Sequence, residues 1–306
     1  MTGTSSPRKR GPSVARSKTM DSRPRSGRGQ AVRGNDDNAA SRSAVGHRST
    51  GDLRHVARKR FGQNFLVDRN YIDRIVAAID PKPGDNLVEI GPGLGALTRP
   101  LVERTGHLTV IEIDRDLAAR LAAELDSSQL LLHVADALDF DFASLGRDLR
   151  IVGNLPYNIS SPLLFHLARY ESILRDLTVM LQREVVQRMV AASSTSEYGR
   201  LSVMLQVRFS IERLLVLPPG AFRPAPKVES AVARLIPLRE KRPYIADEAL
   251  FARVVSAAFG QRRKTLRNAL RTLASDEQLE RAGVSPGARG ETLAVDDFVR
   301  LANLLA

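Results

Sequence analysis

The chain has 306 residues, 43% of them hydrophobic, with a formal net charge of +12. That is enough apolar material for one large or two modest domains, and it excludes a wholly disordered chain. There is no cysteine and there are five histidines. This excludes disulfides, thiolate catalysis and cysteine-ligated metal, and no metal site is expected. No apolar run approaches the ~20 residues of a membrane span.

The charge is unevenly spread. Residues 1–50 hold eleven Lys or Arg against three Asp, and residues 51–60 hold four against one. Residues 61–306 are left with a net charge of only +1. The first 55 residues are rich in Ser, Gly, Pro and Arg. They lack the large apolar groups that offset ordering entropy and are expected to be a disordered basic tail. Such a tail is an RNA-binding arm, a transit peptide, or a solvated extension that includes an upstream start (Met20 lies inside it). Its Gly and Pro content disfavours the amphipathic helix of a transit peptide.

From Tyr71 the pattern is regular. Tyr71, Ile72, Ile75, Val76 and Ile79 recur at helical spacing, and Pro81, Pro83 and Gly84 end that helix. Strands are then expected over 86–90, 107–113, 130–134, 149–153 and 177–181, with helices over 97–104, 117–125 and 162–168 between them. Strands alternating with helices imply a parallel sheet covered on both faces. Residues 209–217 and 230–237 suit an antiparallel hairpin edge, and only helical patterns follow Pro243. The expected architecture is α/β, with a sheet domain over 56–240 and a small helical domain over 245–306.

The first strand runs into Glu89-Ile90-Gly91-Pro92-Gly93-Leu94-Gly95. Glycines at this turn let a ligand approach the backbone. The second strand ends in Glu112-Ile113-Asp114, where doubly wound folds place a ribose-binding acid. The third ends at Asp136, which can accept from an adenine amine. Any one of these is a weak signal, whereas the ordered set is specific. A G-x-G-x-G spacing with Glu89 beside it would repel a pyrophosphate and attract a cationic ligand. S-adenosylmethionine is therefore preferred over a nicotinamide dinucleotide.

The fourth strand runs into Asn154-Leu155-Pro156-Tyr157. The exocyclic amine of adenine is a poor nucleophile because its lone pair is delocalised into the ring. Two acceptors for its hydrogens, the Asn154 side-chain oxygen and the Pro156 carbonyl, would favour a pyramidal nitrogen. The Tyr157 ring can stack on the base, which must be flipped out of any helix to arrive there. Methyl transfer from a sulfonium is a direct displacement, so alignment and electrostatics suffice. This tetrapeptide alone leaves the acceptor open among rRNA of either subunit and DNA.

Three further segments, Phe61-Gly62-Gln63-Asn64-Phe65-Leu66, Phe222-Arg223-Pro224-Ala225-Pro226-Lys227-Val228-Glu229-Ser230 and Phe259-Gly260-Gln261-Arg262-Arg263-Lys264-Thr265-Leu266-Arg267-Asn268, complete a pattern. With them the chain, over roughly residues 56–306, closely resembles the KsgA/RsmA family of small-subunit rRNA adenine dimethyltransferases. The resemblance implies a class I, Rossmann-like methyltransferase fold with a seven-stranded sheet and a small C-terminal helical domain. It implies dimethylation of two adjacent adenosines in the 3′-terminal hairpin loop of 16S rRNA in the 30S subunit, a role in subunit biogenesis, and a cytoplasmic enzyme; monomer is the default state. It also implies that Asn64 and Leu66 close over the methionine end of the cofactor and that Gly91 contacts it through the backbone. Glu112 would bind its ribose, Asp136 its adenine, and Asn154 both cofactor and target amine. Phe222 would sandwich the target base opposite Tyr157. Arg262, Arg263, Lys264 and Arg267 are read as rRNA phosphate contacts, and His107, His133 and His166 as structural.

Overall fold

A computed structural model describes residues 63–261 and 263–306. The basic tail and Arg262 lie outside the described residues.

The first described helix, α1 (Arg69–Ile79), begins where the Asp68 carboxylate accepts the Asn70 and Tyr71 amides. It follows a two-residue strand, β1 (Phe65–Leu66). Then β2 (Asn86–Ile90), α2 (Thr98–Thr105), β3 (Leu108–Glu112), α3 (Arg115–Glu124) and β4 (Leu130–Val134) alternate as the apolar runs predict. Next come β5 (Leu149–Asn154), α4 (Ser160–Ala168) and β6 (Leu174–Gln182). The stretch after β6, given no element by the sequence pattern, folds as α5 (Arg183–Val190) and α6 (Arg200–Gln206). Val186, Met189, Val203 and Leu205 supply their buried faces. The chain continues through β7 (Phe209–Leu217), the short β8 (Phe222–Arg223) and β9 (Ser230–Pro237).

Seven strands form one sheet in the order β4-β3-β2-β5-β6-β9-β7. The first five are parallel, while β9 is antiparallel to both β6 and β7. The hairpin edge is therefore present, with β9 on its inner side. β2 has β3 on one flank and β5 on the other, so the strand order reverses there and opens a crevice at the carboxyl ends. The two faces fill separate apolar layers, as period-2 alternation requires. Val88, Ile90 and Ile151 pack with Leu163 and Leu167 of α4 on one face. Leu87, Val110 and Val152 pack with Ile75, Ile79 and Leu101 of α1 and α2 on the other.

The C-terminal helices α7 (Glu248–Gly260), α8 (Leu266–Ala269), α9 (Asp276–Arg281) and α10 (Val295–Leu305) enclose a third core. Tyr198, Val203 and Val207, from around α6, are buried in it. Leu266 and Leu270 face inward there, while Arg263, Lys264 and Arg267 are exposed. His166 Nε2 lies 2.9 Å from the Phe140 carbonyl, in a ring cluster with Phe142 and Tyr170. His133 packs edge-on to Phe140. Among the described residues no helix is long and apolar enough to cross a membrane.

Candidate cofactor and target-base site

A cavity of about 270 Å³ opens at the carboxyl ends of β2, β3, β4 and β5. Asn64, Leu66, Gly91, Glu112, Asp136, Asn154, Pro156 and Tyr157 all line it, so nearly every residue singled out in the sequence meets in one place.

The glycine turn after β2 forms the floor. Gly91, Gly93 and Gly95 all have positive φ (65°, 58° and 78°), which L side chains rarely adopt. The Gly91 amide donates to the Ile111 carbonyl at 2.9 Å and ties the turn to β3. Gly153, one residue before Asn154, meets a different constraint. A Cβ there would lie 2.4 Å from the Ile90 carbonyl oxygen, so only glycine allows β5 to approach β2 this closely beside the cavity.

The acids sit on strand ends with distinct partners. Glu112 Oε1 accepts the Asp114 amide at 2.8 Å, and Oε2 accepts the Gly93 amide at 3.4 Å. Burial nevertheless pushes Glu112 above the usual carboxylate range, against the pull of those two amides. Glu89 is only 2% exposed, and Thr98 Oγ1 donates to it at 2.7 Å. Burial pushes Glu89 up to about 7, with the nearby Glu112 charge adding to the rise. Asp136 uses Oδ1 to accept the Leu138 amide at 2.9 Å. Gln63 reaches Asp114 Oδ2 at 3.3 Å and draws the entry segment against the end of β3.

Asn154 is oriented by a residue far away in sequence. Its Nδ2 donates to the Asn64 carbonyl at 2.9 Å. A carbonyl only accepts, so the amide nitrogen must face Asn64 and Oδ1 remains the amide's acceptor. The Tyr157 hydroxyl lies 2.5 Å from Ser230 Oγ at the start of β9, a partner the sequence did not reveal.

Two expectations change. The Pro156 carbonyl is already engaged, because it accepts the Ile159 amide at 3.2 Å and the Ser160 hydroxyl at 3.1 Å in the first turn of α4. The Ser160 hydroxyl also lies 3.3 Å from the Tyr157 carbonyl, and the Pro156 carbonyl, engaged inside this turn, is a poorer second acceptor for a target amine than an open one. Leu155, whose amide donates to the Met180 carbonyl, also lines the cavity, and its own carbonyl accepts no bond among the described residues. Phe222 does not line the cavity. Its ring is 0% exposed, in the apolar layer with Leu66, Met180 and Leu217, so it offers no face to a base as it stands. β8 pairs antiparallel with β1, setting Leu66 opposite Phe222, and the Ala221 carbonyl accepts the Val67 amide at 2.9 Å. Phe222 thus holds down the β1 segment, whose Asn64 and Leu66 line the cavity.

Comparisons with known proteins agree with this geometry. The family model for ribosomal RNA adenine dimethylase matches residues 54–306. The chain is 60% identical over 252 residues to ribosomal RNA small subunit methyltransferase A of Aromatoleum aromaticum, covering 82% of this chain and 95% of that one. It is 59% identical to the protein of the same name from Thiobacillus denitrificans, covering 82% and 99%. Among solved structures it resembles the 23S rRNA methyltransferase ErmE at 28% identity and TM-score 0.60, covering 79% of this chain and 99% of that one. A dimethyladenosine transferase from Plasmodium falciparum shares the fold at 24% identity and TM-score 0.68, covering 78% and 95%. The chain has the fold of class I methyltransferases and belongs to the ribosomal RNA adenine dimethylase family.

Proposed function

We propose that this protein dimethylates the exocyclic amines of two adjacent adenosines in the 3′-terminal hairpin loop of 16S rRNA, using S-adenosylmethionine. It acts as a cytoplasmic monomer on the 30S subunit or its precursor. The observation that carries the reading is the single cavity in which a cation-seeking acid pair and the Asn154–Tyr157 turn meet. S-adenosylmethionine fits that donor set. Glu89 is buried with a threonine hydroxyl as partner rather than a cation, and a sulfonium or ammonium would favour its ionised form. When bound, this cofactor supplies an electrophilic methyl group on a positively charged sulfur.

The chain's own residues do the rest. Glu112 accepts hydrogen bonds from ribose hydroxyls, and the Oδ2 of Asp136, which takes no hydrogen bond from the described residues, accepts from the cofactor's adenine amine. Asn64 and Leu66, clamped by β8, cover the methionine end. Asn154 Oδ1 takes one hydrogen of the target amine, and the unengaged Leu155 carbonyl takes the other in place of Pro156. Together they hold the nitrogen lone pair out of the ring plane. Tyr157, tethered to Ser230, presents its ring to the flipped base, a contact worth roughly 1–3 kcal/mol in single-strand recognition. The sheet domain over 56–240 would perform the chemistry, and the helices over 245–306, with exposed Arg263, Lys264 and Arg267, would hold rRNA.

The test is labelled S-adenosylmethionine offered with unmethylated 30S particles, 50S particles or duplex DNA, followed by mapping of the labelled base. Label on adjacent small-subunit adenosines is expected. Label confined to 50S particles or DNA overturns the reading. Asn154→Ala should still bind 30S particles but lose about 100-fold or more in methyl transfer, the scale of removing one preorganised hydrogen-bonding group.

A further inference from the structure

The segment between β8 and β9 is not absorbed by the chemistry above. Both its feet are buried, and each is held against a residue that lines the cavity. Phe222 stands in register with Leu66, and Ser230, 0% exposed, bonds Tyr157. Between them Arg223, Pro224, Ala225, Lys227 and Val228 are exposed. The prolines at 224 and 226 fix φ and limit the conformations of the crest. The segment's acid, Glu229, is neutralised by an ion pair with Arg183, whose amide also donates to the Glu229 carbonyl at 2.9 Å. Among the described residues the crest cations have no such partner. Arg223 turns its Nη1 onto the Phe222 carbonyl at 2.9 Å and the Gly220 carbonyl at 3.4 Å, and no carboxylate among the described residues pairs with Arg223 or Lys227. Lys227 is three residues from Ser230, so its Cα lies within about 11 Å of the residue that holds Tyr157.

We propose that this loop, 223–228, is an rRNA phosphate-binding element that grips the backbone beside the flipped adenosine through Arg223 and Lys227. It rests on the reading of the cavity as an rRNA adenine site. A rigid, net-cationic crest joined to both the cofactor cover and the base-stacking tyrosine places positive charge where the backbone of an extruded nucleotide must pass. An element of this kind positions the strand without reading its sequence. It lies on the sheet domain, separate from the exposed basic residues of the C-terminal helices.

The test uses the full chain with unmethylated 30S particles, measuring binding and methyl transfer across a salt series. Lys227→Ala and the Arg223→Ala/Lys227→Ala double variant should flatten the slope of log affinity against log salt by about 0.7 for each cation removed. They should raise the KM for particles several-fold while kcat and S-adenosylmethionine affinity stay near wild type. Lys227→Arg should restore the wild-type slope. Val228→Ala, which removes bulk but no charge, should keep that slope. A double variant whose slope and KM match an active wild type overturns the loop proposal alone, as does a Val228→Ala slope as shallow as that of Lys227→Ala. A wild type that methylates no rRNA overturns the functional reading, and the loop proposal with it.

Discussion

The two ends of β5 solve opposite problems. At its amino end Arg150 is buried, and its guanidinium donates to Asp85 at 2.6 Å, Asp176 at 3.0 Å, the Ile79 carbonyl at 2.6 Å and the Asp80 carbonyl at 3.2 Å. Arg175 adds a second cation to Asp85 at 2.7 Å. Burial alone would raise Asp85, but the Lys82 amide and these guanidinium groups hold it below the usual carboxylate range. Beside its carboxyl end, on the neighbouring strands β2 and β3, Glu89 and Glu112 are buried with hydroxyl and amide partners, and both are pushed up. The clamp end pairs each of its buried acids with a guanidinium, whereas the site end holds acids that a cationic ligand would complete. The parallel strands thus hold the clamp and the binding acids at opposite ends of the sheet.

Breaking the clamp should have the largest effect. Arg150→Ala leaves Asp176 buried without its cation and Asp85 with Arg175 alone, and should cost about 3–5 kcal/mol in denaturant unfolding, the usual toll of removing one partner of a buried pair. Cofactor affinity per folded molecule should hardly change; a large fall in affinity with normal stability would show that the ends are not separable.

Glu89→Gln sharpens the other side. The folded protein holds the Glu89 proton more tightly than the unfolded chain does, so wild-type stability from this group is full below about 4.5 and is lost as pH rises to about 7. The Gln variant lacks that loss. It should gain on wild type by about 3 kcal/mol across the window and no further above it. S-adenosylmethionine affinity should rise with pH near 7 in wild type and stay flat in the variant, measurable by titration calorimetry. Equal pH profiles would remove Glu89 from the electrostatics of the site.

The smallest effect is expected at the tyrosine tether. Tyr157→Phe keeps the ring and removes the hydroxyl bonded to Ser230. Losing one such bond is worth about 1 kcal/mol, so methyl transfer should fall roughly fivefold. Loss on the scale expected of Asn154→Ala would mean that the hydroxyl itself takes part in the reaction.

Much of the fold was legible. The strands over 86–90, 130–134, 209–217 and 230–237 have the bounds that their apolar runs, closed by turn residues, predict. α5 and α6 escaped because each is short and its buried positions, such as Val186 and Met189, are too few to mark a period. At the site, the positions of the acids and Asn154 were legible because each sits at or just past the carboxyl end of a strand. Phe222 and Pro156 were not. A sequence shows that an aromatic and a carbonyl are present, but burial and hydrogen-bond occupancy settle whether either is available. Gly153 carried a readable signal, since a glycine inside an apolar strand marks a close backbone approach.

The sequence by itself determined the alternating α/β order, the placing of acids at successive strand ends, and the confinement of net charge to the first 60 residues. These follow from periodicity, turn chemistry and counting, all local properties. Tertiary structure decided which acids lose water, which carbonyl stays open, and how Asn154 and Tyr157 are aimed. Those outcomes rest on partners far along the chain, 90 residues away for Asn154 with Asn64 and 73 for Tyr157 with Ser230. Desolvation and hydrogen-bond occupancy are properties of the packed neighbourhood, and no window of sequence contains it.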